Sequence, residues 1–183
     1  MSLIDISDLE GCSLIPKKTF LDERGSFTEL FRASRFPESS FVQDNFSHSK
    51  LKGTFRGLHF QSHPFEQAKL VHVITGSILD FFIDLRPNSD TFLDHCSCIL
   101  SAASHEGLLV PRGFAHGFLT LENDTRVIYK VDNYYSAQHD HSLIWNDTSI
   151  NLNLSEKEVR HLSEKDRNGM TISKIQTLNL IND

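Results

Sequence analysis

Four short stretches place polar side chains where the surroundings otherwise read as core: TFRGLHFQ (54–61), QAKLVHVITG (67–76), VPRGFAHGF (110–118) and VIYKVDNYY (127–135). On a regular strand His59 shares a face with Gln61, Lys69 with Val71 and Val73, His116 with Phe114 and Phe118, and Tyr129 with Val127 and Val131. Imidazole, ammonium and phenol are groups that take up, hold and return protons, and imidazole changes charge close to neutral pH. Any one of them alone reads as a hydrogen-bonded core residue. Recurring in consecutive strands and facing one interior, the four would make an apolar cavity with a few convergent polar groups, the ordinary form of a small-molecule site.

The elements that must position these groups are strands. Phenylalanine supplies 14 of the aromatic residues, and with Val, Ile and Thr it is concentrated in short runs separated by Gly, Pro, Asn, Asp and Ser. In Leu79 to Leu85 the residues Leu79, Phe81, Ile83 and Leu85 share one face and Asp80 and Asp84 the other, the period of a half-buried strand, and RPNSD then reads as a turn. Further strands are predicted over Ser26 to Arg32, Phe41 to Ser47, Thr54 to Gln61, Ala68 to Ile74, Asp94 to Leu100, Leu108 to Val110, Phe114 to Glu122 and Arg126 to Asn133. That spacing is the spacing of a sandwich or barrel. Helical signals are confined to the C-terminal third, where Ser155 and Glu158 form a capping-box pattern for a short helix.

A chain of 183 residues that is 39% hydrophobic and 23% charged, without repeat or linker, suits one domain over residues 1–183. The net charge of −6 and the lack of a cationic run argue against nucleic acid as a partner. Apolar stretches under about ten residues are too short to span a bilayer. The acidic N-terminus MSLIDISDLEGCSL lacks the basic start of a secretory signal, so a cytoplasmic protein with no membrane partner is expected. Cys12, Cys96 and Cys98 cannot all pair within one chain, and no second CxC or CxxC completes a zinc site; they read as reduced structural thiols.

The segment PRGFAH (111–116) is a PxGxxH pattern and resembles the second motif of the cupin superfamily of small jelly-roll barrels. The first cupin motif, HxH followed by Glu, six residues and Gly, is altered here: His59 to Gln61 reads HxQ, and Lys69 holds the Glu position ahead of Gly76. An ammonium at a ligand position repels a dication and cannot coordinate while protonated. No catalytic metal is therefore expected, and His59 and Lys69 are left for proton chemistry.

A closer resemblance runs over residues 15–170. The motifs DERGSFTELF, QDNFSHS, RGLHFQ, QAKLV, DLRPNSDTF, PRGFAHGF, YKVDNYY and LSEKD occur in the order found in the dTDP-4-dehydrorhamnose 3,5-epimerase family. The resemblance implies an all-β cupin jelly-roll barrel with short C-terminal helices and a cofactor-independent homodimer. It also implies a nucleotide-linked 4-keto-6-deoxyhexose substrate, with thymidine the favoured nucleotide, in deoxysugar biosynthesis of the rhamnose type. By the same resemblance His59 is the base, Asp166 its carboxylate partner, Tyr129 the acid on the opposite face and Lys69 the group that stabilises the enolate. Arg24, Arg56 and Lys165 match positions for the pyrophosphate, Glu29, Gln43 and Asn45 for the base and its surroundings, with Phe27 and Tyr135 near the nucleotide or sugar, and His116 for the sugar. Arg56 and His59 are three residues apart, which on a regular strand sends them to opposite faces; a bulge at Gly57 would bring both toward one pocket.

The chain departs from the family after WND (145–147), where Asn153 and Leu154 stand near the place of a Trp-Pro pair, putting the approach of Asp166 to His59 in question. Phe81 and Phe82 are bulkier than usual in their motif, a change compatible with relatives that epimerise C3 or C5 alone. Three other readings stay open: a sugar-nucleotide 3,4-ketoisomerase on the same barrel, a metal-dependent cupin using His59, His63, Glu66 and His116, and a non-catalytic nucleotide-sugar binding module. The acidic, apolar arm from Leu3 to Leu14 could form a dimer interface or pack on its own subunit.

Overall fold

Alternating apolar and polar positions leave each strand one face to bury, and two sheets facing one another satisfy that need. The computed structural model describes residues 5–104 and 106–181. Among them, in chain order, are β1 (Ser13–Pro16), β2 (Lys18–Asp22), β3 (Gly25–Glu29), β4 (Gln43–Ser49), β5 (Phe55–Gln61), β6 (Lys69–Thr75), β7 (Ser77–Asp84), β8 (His95–Ser101), β9 (Glu106–Val110), β10 (Phe114–Thr120), β11 (Thr125–Val131) and β12 (Asp140–Ser142). Two short helices follow, α1 (Glu164–Arg167) and α2 (Ile172–Thr177). One antiparallel sheet runs β1-β9-β6-β11-β4 and the other β12-β5-β10-β7-β8, while β2 and β3 form a separate hairpin. This is the jelly roll expected from the sequence, and no helix among the described residues is long and apolar enough to cross a membrane.

Two cores hold the sandwich. Between the sheets lie Val71, Val73, Ile78, Phe82, Leu100, Leu108, Val110, Phe114, Phe118 and Val127. Against the outer face of the second sheet lie Phe55, Phe81, Ile83 and Leu143 with Trp145, Ile150, Leu152, Val159, Ile172 and Ile175 from the C-terminal segment. That second core corrects the reading of β7 as half-buried: both its faces are covered, and Asp80 and Asp84 are each fully buried. Asp84 accepts hydrogen bonds from Arg86, Ser89 and Thr91, which builds the turn expected at RPNSD.

Other departures have local causes. β1, β2 and β12 are short, and their residue patterns do not alternate, so periodicity does not find them; β1 is an edge strand that tolerates Pro16. The strand predicted to Arg32 ends at Glu29, where its hairpin partner β2 begins at Lys18. Ser155 and Glu158 make the predicted capping contact, at 2.6 Å between Oγ and Oε2, but close only a turn. The helices that do form are capped by Ser163 and Thr171. Within the N-terminal arm, Leu3 and Ile4 lie outside the described residues; Leu9 packs into its own subunit's core and β1 pairs with β9. Cys12 and Cys96 are buried and Cys98 partly so, and burial pushes all three thiols above their ordinary pKa.

Candidate active site

The two sheets part over one end of the barrel to leave a cleft of about 570 Å³, lined among others by Arg56, His59, Lys69, His116, Tyr129 and Asp166. A second compartment of about 350 Å³ continues from it through the shared residues His59, Lys69, Tyr129 and Lys165, and adds Gln43, Asn45, Gln61, Tyr135 and Asp140.

The bulge expected at Gly57 is present. His116 of β10 stands opposite His59, yet Phe118 stands opposite Arg56, so three residues of β5 span two of β10. Gly57 has φ +124°, and a Cβ there would lie 2.7 Å from Gly117 Cα; one on Gly117 would lie 2.6 Å from the Arg56 carbonyl oxygen. Only glycine fits at either place, and the extra residue turns both Arg56 and His59 to the cleft. Arg56 is held by hydrogen bonds from Nε to Ser49 Oγ (3.0 Å) and from Nη2 to the His48 carbonyl (3.1 Å).

Asp166 does reach His59. The altered segment after Trp145 still returns along β5, with the Phe55 amide donating to the His161 carbonyl at 2.9 Å. Ser163 then caps α1 by accepting from the Asp166 amide at 3.1 Å. His59 Nε2 lies 2.6 Å from Asp166 Oδ1. Burial pushes the Asp166 carboxyl up, but the hydrogen bond and charge of His59, with contributions from Ser163 and the Gly57 amide, hold it below the usual aspartate value. A carboxylate there accepts from Nε2–H, which leaves Nδ1 with the free lone pair.

Across the cleft, β11 presents Tyr129 from the opposite sheet. Its burial raises the phenol's pKa, against an opposing effect of the Arg56 charge, so the hydroxyl keeps its proton at neutral pH. On neighbouring β6, Lys69 is buried and donates from Nζ to the His59 carbonyl at 3.1 Å, bridging the two walls. Burial lowers its pKa to about 8, with Asp140 and Asp80 opposing the shift and Lys165 adding to it. The ammonium form still predominates at pH 7.

In the second compartment Gln43 Nε2 donates to Asn45 Oδ1 at 2.9 Å, Lys165 pairs with Asp140, and a hydrogen bond to Asp140 is the main cause that raises the Tyr135 pKa. Three residues expected at the site are not brought there by this chain. Arg24 pairs with Asp22, Glu29 pairs with Arg32, and Phe27 is 71% exposed, all on the β2–β3 hairpin. The donor set of a metal-dependent cupin does not converge either. His63 pairs with Glu66 at 3.2 Å on an exposed loop, Gln61 is occupied by backbone groups, and no cluster of three or more His, Cys, Asp or Glu among the described residues could hold a metal ion.

Sequence reasoning missed Asp80, which lies inside the barrel with Oδ1 2.7 Å from His116 Nε2, outside directed hydrogen-bond geometry. The contact gives His116 a buried carboxylate neighbour directly behind the cleft. The missed signal was the apolar character of Ile78 and Phe82 as well as of the odd positions, which marks a strand covered on both faces. Asp140 was missed because DHS reads as loop.

With this geometry in place, comparison with known proteins is decisive. The profile described as dTDP-4-dehydrorhamnose 3,5-epimerase matches residues 7–174. The chain belongs to the dTDP-4-dehydrorhamnose 3,5-epimerase family. It is 45% identical over 157 residues to the family member of Sinorhizobium fredii, covering 84% of this chain and 80% of the relative. The crystal structure of the Bacillus anthracis dTDP-4-dehydrorhamnose 3,5-epimerase with TDP and pyrophosphate bound superposes with a TM-score of 0.85 at 43% identity, covering 93% of this chain and 99% of that one. The dTDP-6-deoxy-D-glucose-3,5-epimerase of Legionella pneumophila, in complex with dTDP-4-keto-L-rhamnose, gives 0.86 at 37% identity, over 94% and 93% of the two chains.

Proposed function

We propose that this protein is a cofactor-independent isomerase that inverts C3 and C5 of a dTDP-linked 4-keto-6-deoxyhexose in deoxysugar biosynthesis, as a single cytoplasmic domain. The observation that carries the reading is the His59–Asp166 pair, from β5 and α1, facing the partly buried, protonated Tyr129 of the other sheet, with the Lys69 ammonium lining the same cleft.

The C–H bonds at C3 and C5 flank the C4 ketone, so loss of either proton gives an enolate with its charge mainly on the C4 oxygen. His59 Nδ1 takes the proton, and the Asp166 carboxylate holds the tautomer and stabilises the imidazolium that forms. Lys69 places a positive charge where the oxyanion develops; removing one such donor typically costs about 10²–10³-fold in kcat. Tyr129 returns a proton to the opposite face, which inverts the carbon. Exchange with water then resets the imidazolium and the phenolate, so each inverted carbon acquires a solvent proton.

Arg56 and Lys165 suit the pyrophosphate, Gln43, Asn45 and Tyr135 the nucleotide end, and His116 the sugar. Arg24, Phe27 and Glu29 then require a second copy of the chain, whose cleft the hairpin would enter. In support, the hairpin leaves Phe20, Leu21 and Phe27 exposed and pairs chiefly within itself, as an element that finds its apolar cover in a homodimer would.

The deciding test is proton NMR of dTDP-4-keto-6-deoxyglucose with the protein in deuterium oxide. Loss of the C3 and C5 proton signals with ring couplings of the inverted sugar is expected. Exchange at one carbon alone would restrict the reaction to that centre, and no exchange at either would overturn the reading.

A further inference from the structure

Gln61 ends β5 two residues beyond His59, and it is buried at the wall of the second compartment. Its carboxamide is spent entirely on backbone. Nε2 donates to the Phe65 carbonyl at 2.6 Å and to the Tyr134 carbonyl at 3.1 Å, while Oε1 accepts from the Ser136 amide at 2.6 Å. Gln43 completes the arrangement by accepting from the Tyr135 amide at 3.2 Å, and Gln67 Nε2 donates to the Asn133 carbonyl at 2.8 Å. The loop that follows β11 has no ladder partner, and these amides supply the hydrogen bonds that a sheet would otherwise give. What the loop carries at its centre is Tyr135, 58% exposed and lining the compartment.

An aromatic ring left in solvent on a backbone pinned at four consecutive residues is a preorganised platform, because the ordering cost of the loop is met before any ligand arrives. We infer that Gln61 is a positioning residue for substrate binding: through the 134–136 backbone it fixes Tyr135 as the flat face against which the nucleobase end of the substrate rests. The inference deepens the proposed function and rests on its assignment of this compartment to the nucleotide. Gln61 touches no reacting atom, so its loss should weaken nucleotide binding and spare the proton-transfer steps at His59 and Tyr129.

The test uses the full-length protein with Gln61→Met, which keeps the bulk and removes all three hydrogen bonds, alone and combined with Tyr135→Ala. Affinity for dTDP is read by calorimetry, and KM and kcat with dTDP-4-keto-6-deoxyglucose. Losing one or two net hydrogen bonds predicts about a tenfold rise in both Kd and KM, with kcat changed by no more than about threefold. In the Tyr135→Ala background the same substitution should add less than about twofold, because its effect passes through the ring it positions. Wild-type dTDP affinity in Gln61→Met, full multiplication of the two effects, or a loss confined to kcat would each overturn the inference. If Gln61→Met does not fold, Gln61→Glu replaces it, since it keeps the acceptor for Ser136 and loses the donors, and the same outcomes decide. Failure of the wild-type protein to bind dTDP overturns the nucleotide assignment together with the inference, whereas an unchanged Gln61→Met in a protein that binds dTDP overturns the inference alone.

Discussion

Replacing Asp166 by Asn keeps the side chain's size and the Ser163 cap, which is made to the Asp166 backbone amide, while it removes the charge behind His59 and exchanges one acceptor oxygen for a donor. The contact is short, at 2.6 Å, and the carboxylate is buried, so solvent screens it little. With the two charge centres about 4 Å apart and an effective dielectric of about 20, a full imidazolium–carboxylate pair is worth roughly 4 kcal/mol. If about half of that charge has developed in the transition state, roughly 2 kcal/mol is lost, which at about 1.4 kcal/mol per decade is about a 30-fold fall in kcat. The Asn amide can also donate to Nε2 and so favour the tautomer whose lone pair faces away from substrate, which makes 30-fold the lower figure. The assay is the initial rate of C3 and C5 proton loss in deuterium oxide, with dTDP affinity and thermal melting measured beside it. The expected result is a fall in kcat of that order or more with dTDP affinity within about threefold of wild type. A variant that retains kcat within about threefold, or loses binding by the same factor as rate, would refute the assignment of Asp166 to His59.

Three further outcomes are expected. Tyr129→Phe should lower net inversion by about 10²–10⁴-fold, the usual contribution of a positioned acid, while His59-dependent exchange of substrate protons with solvent continues; equal loss of both would remove Tyr129 from the acid role. Because burial lowers the Lys69 pKa to about 8, kcat should decline as pH rises through about 8, and Lys69→Met should lose the activity and with it that alkaline limb; a rate that is flat to pH 10 in the wild type would contradict the enolate role. His72 is buried on β6 and held neutral, its pKa lowered from 6.5 to about 4 mainly by burial, with the Lys17 charge adding. The unfolded chain therefore binds the proton first as pH falls, and stability present above about 6.5 should be lost between 6.5 and 4, amounting to roughly 3 kcal/mol. Urea denaturation of wild type and His72→Gln at pH 4.5 and 7.5 measures this, and an equal pH dependence in both would show that His72 is not its source.

The site depends on the fold at one place above others. A strand of regular pleat would send Arg56 and His59 to opposite faces, and the Gly57 bulge, seated against Gly117, is what allows a guanidinium and an imidazole to share the cleft. Lys69 works from the opposing sheet, so its reach to the His59 carbonyl ties the geometry of one wall to the other.

Much of this was legible in residue order. Strand periodicity placed β4 to β11 within a few residues, since a face that must be buried leaves an alternating trace along the chain. His59, Lys69, His116 and Tyr129 were legible as a site because each is a polar group in an apolar run, and the ordered motifs carried the family. Residue order does not record what lies across space. The two-sided burial of β7 depends on a C-terminal segment more than 60 residues away folding over its outer face, and the place of Asp80 behind His116 depends on the opposing sheet closing over its inner one. The arrival of Asp166 at His59 depends on that same segment, 107 residues along the chain, and local pattern says nothing about contacts closed over such a distance. The separation of Arg24, Phe27 and Glu29 from the cleft is likewise visible only in three dimensions, because hairpin pairing between β2 and β3 fixes their local form but not the direction in which the hairpin leaves the barrel.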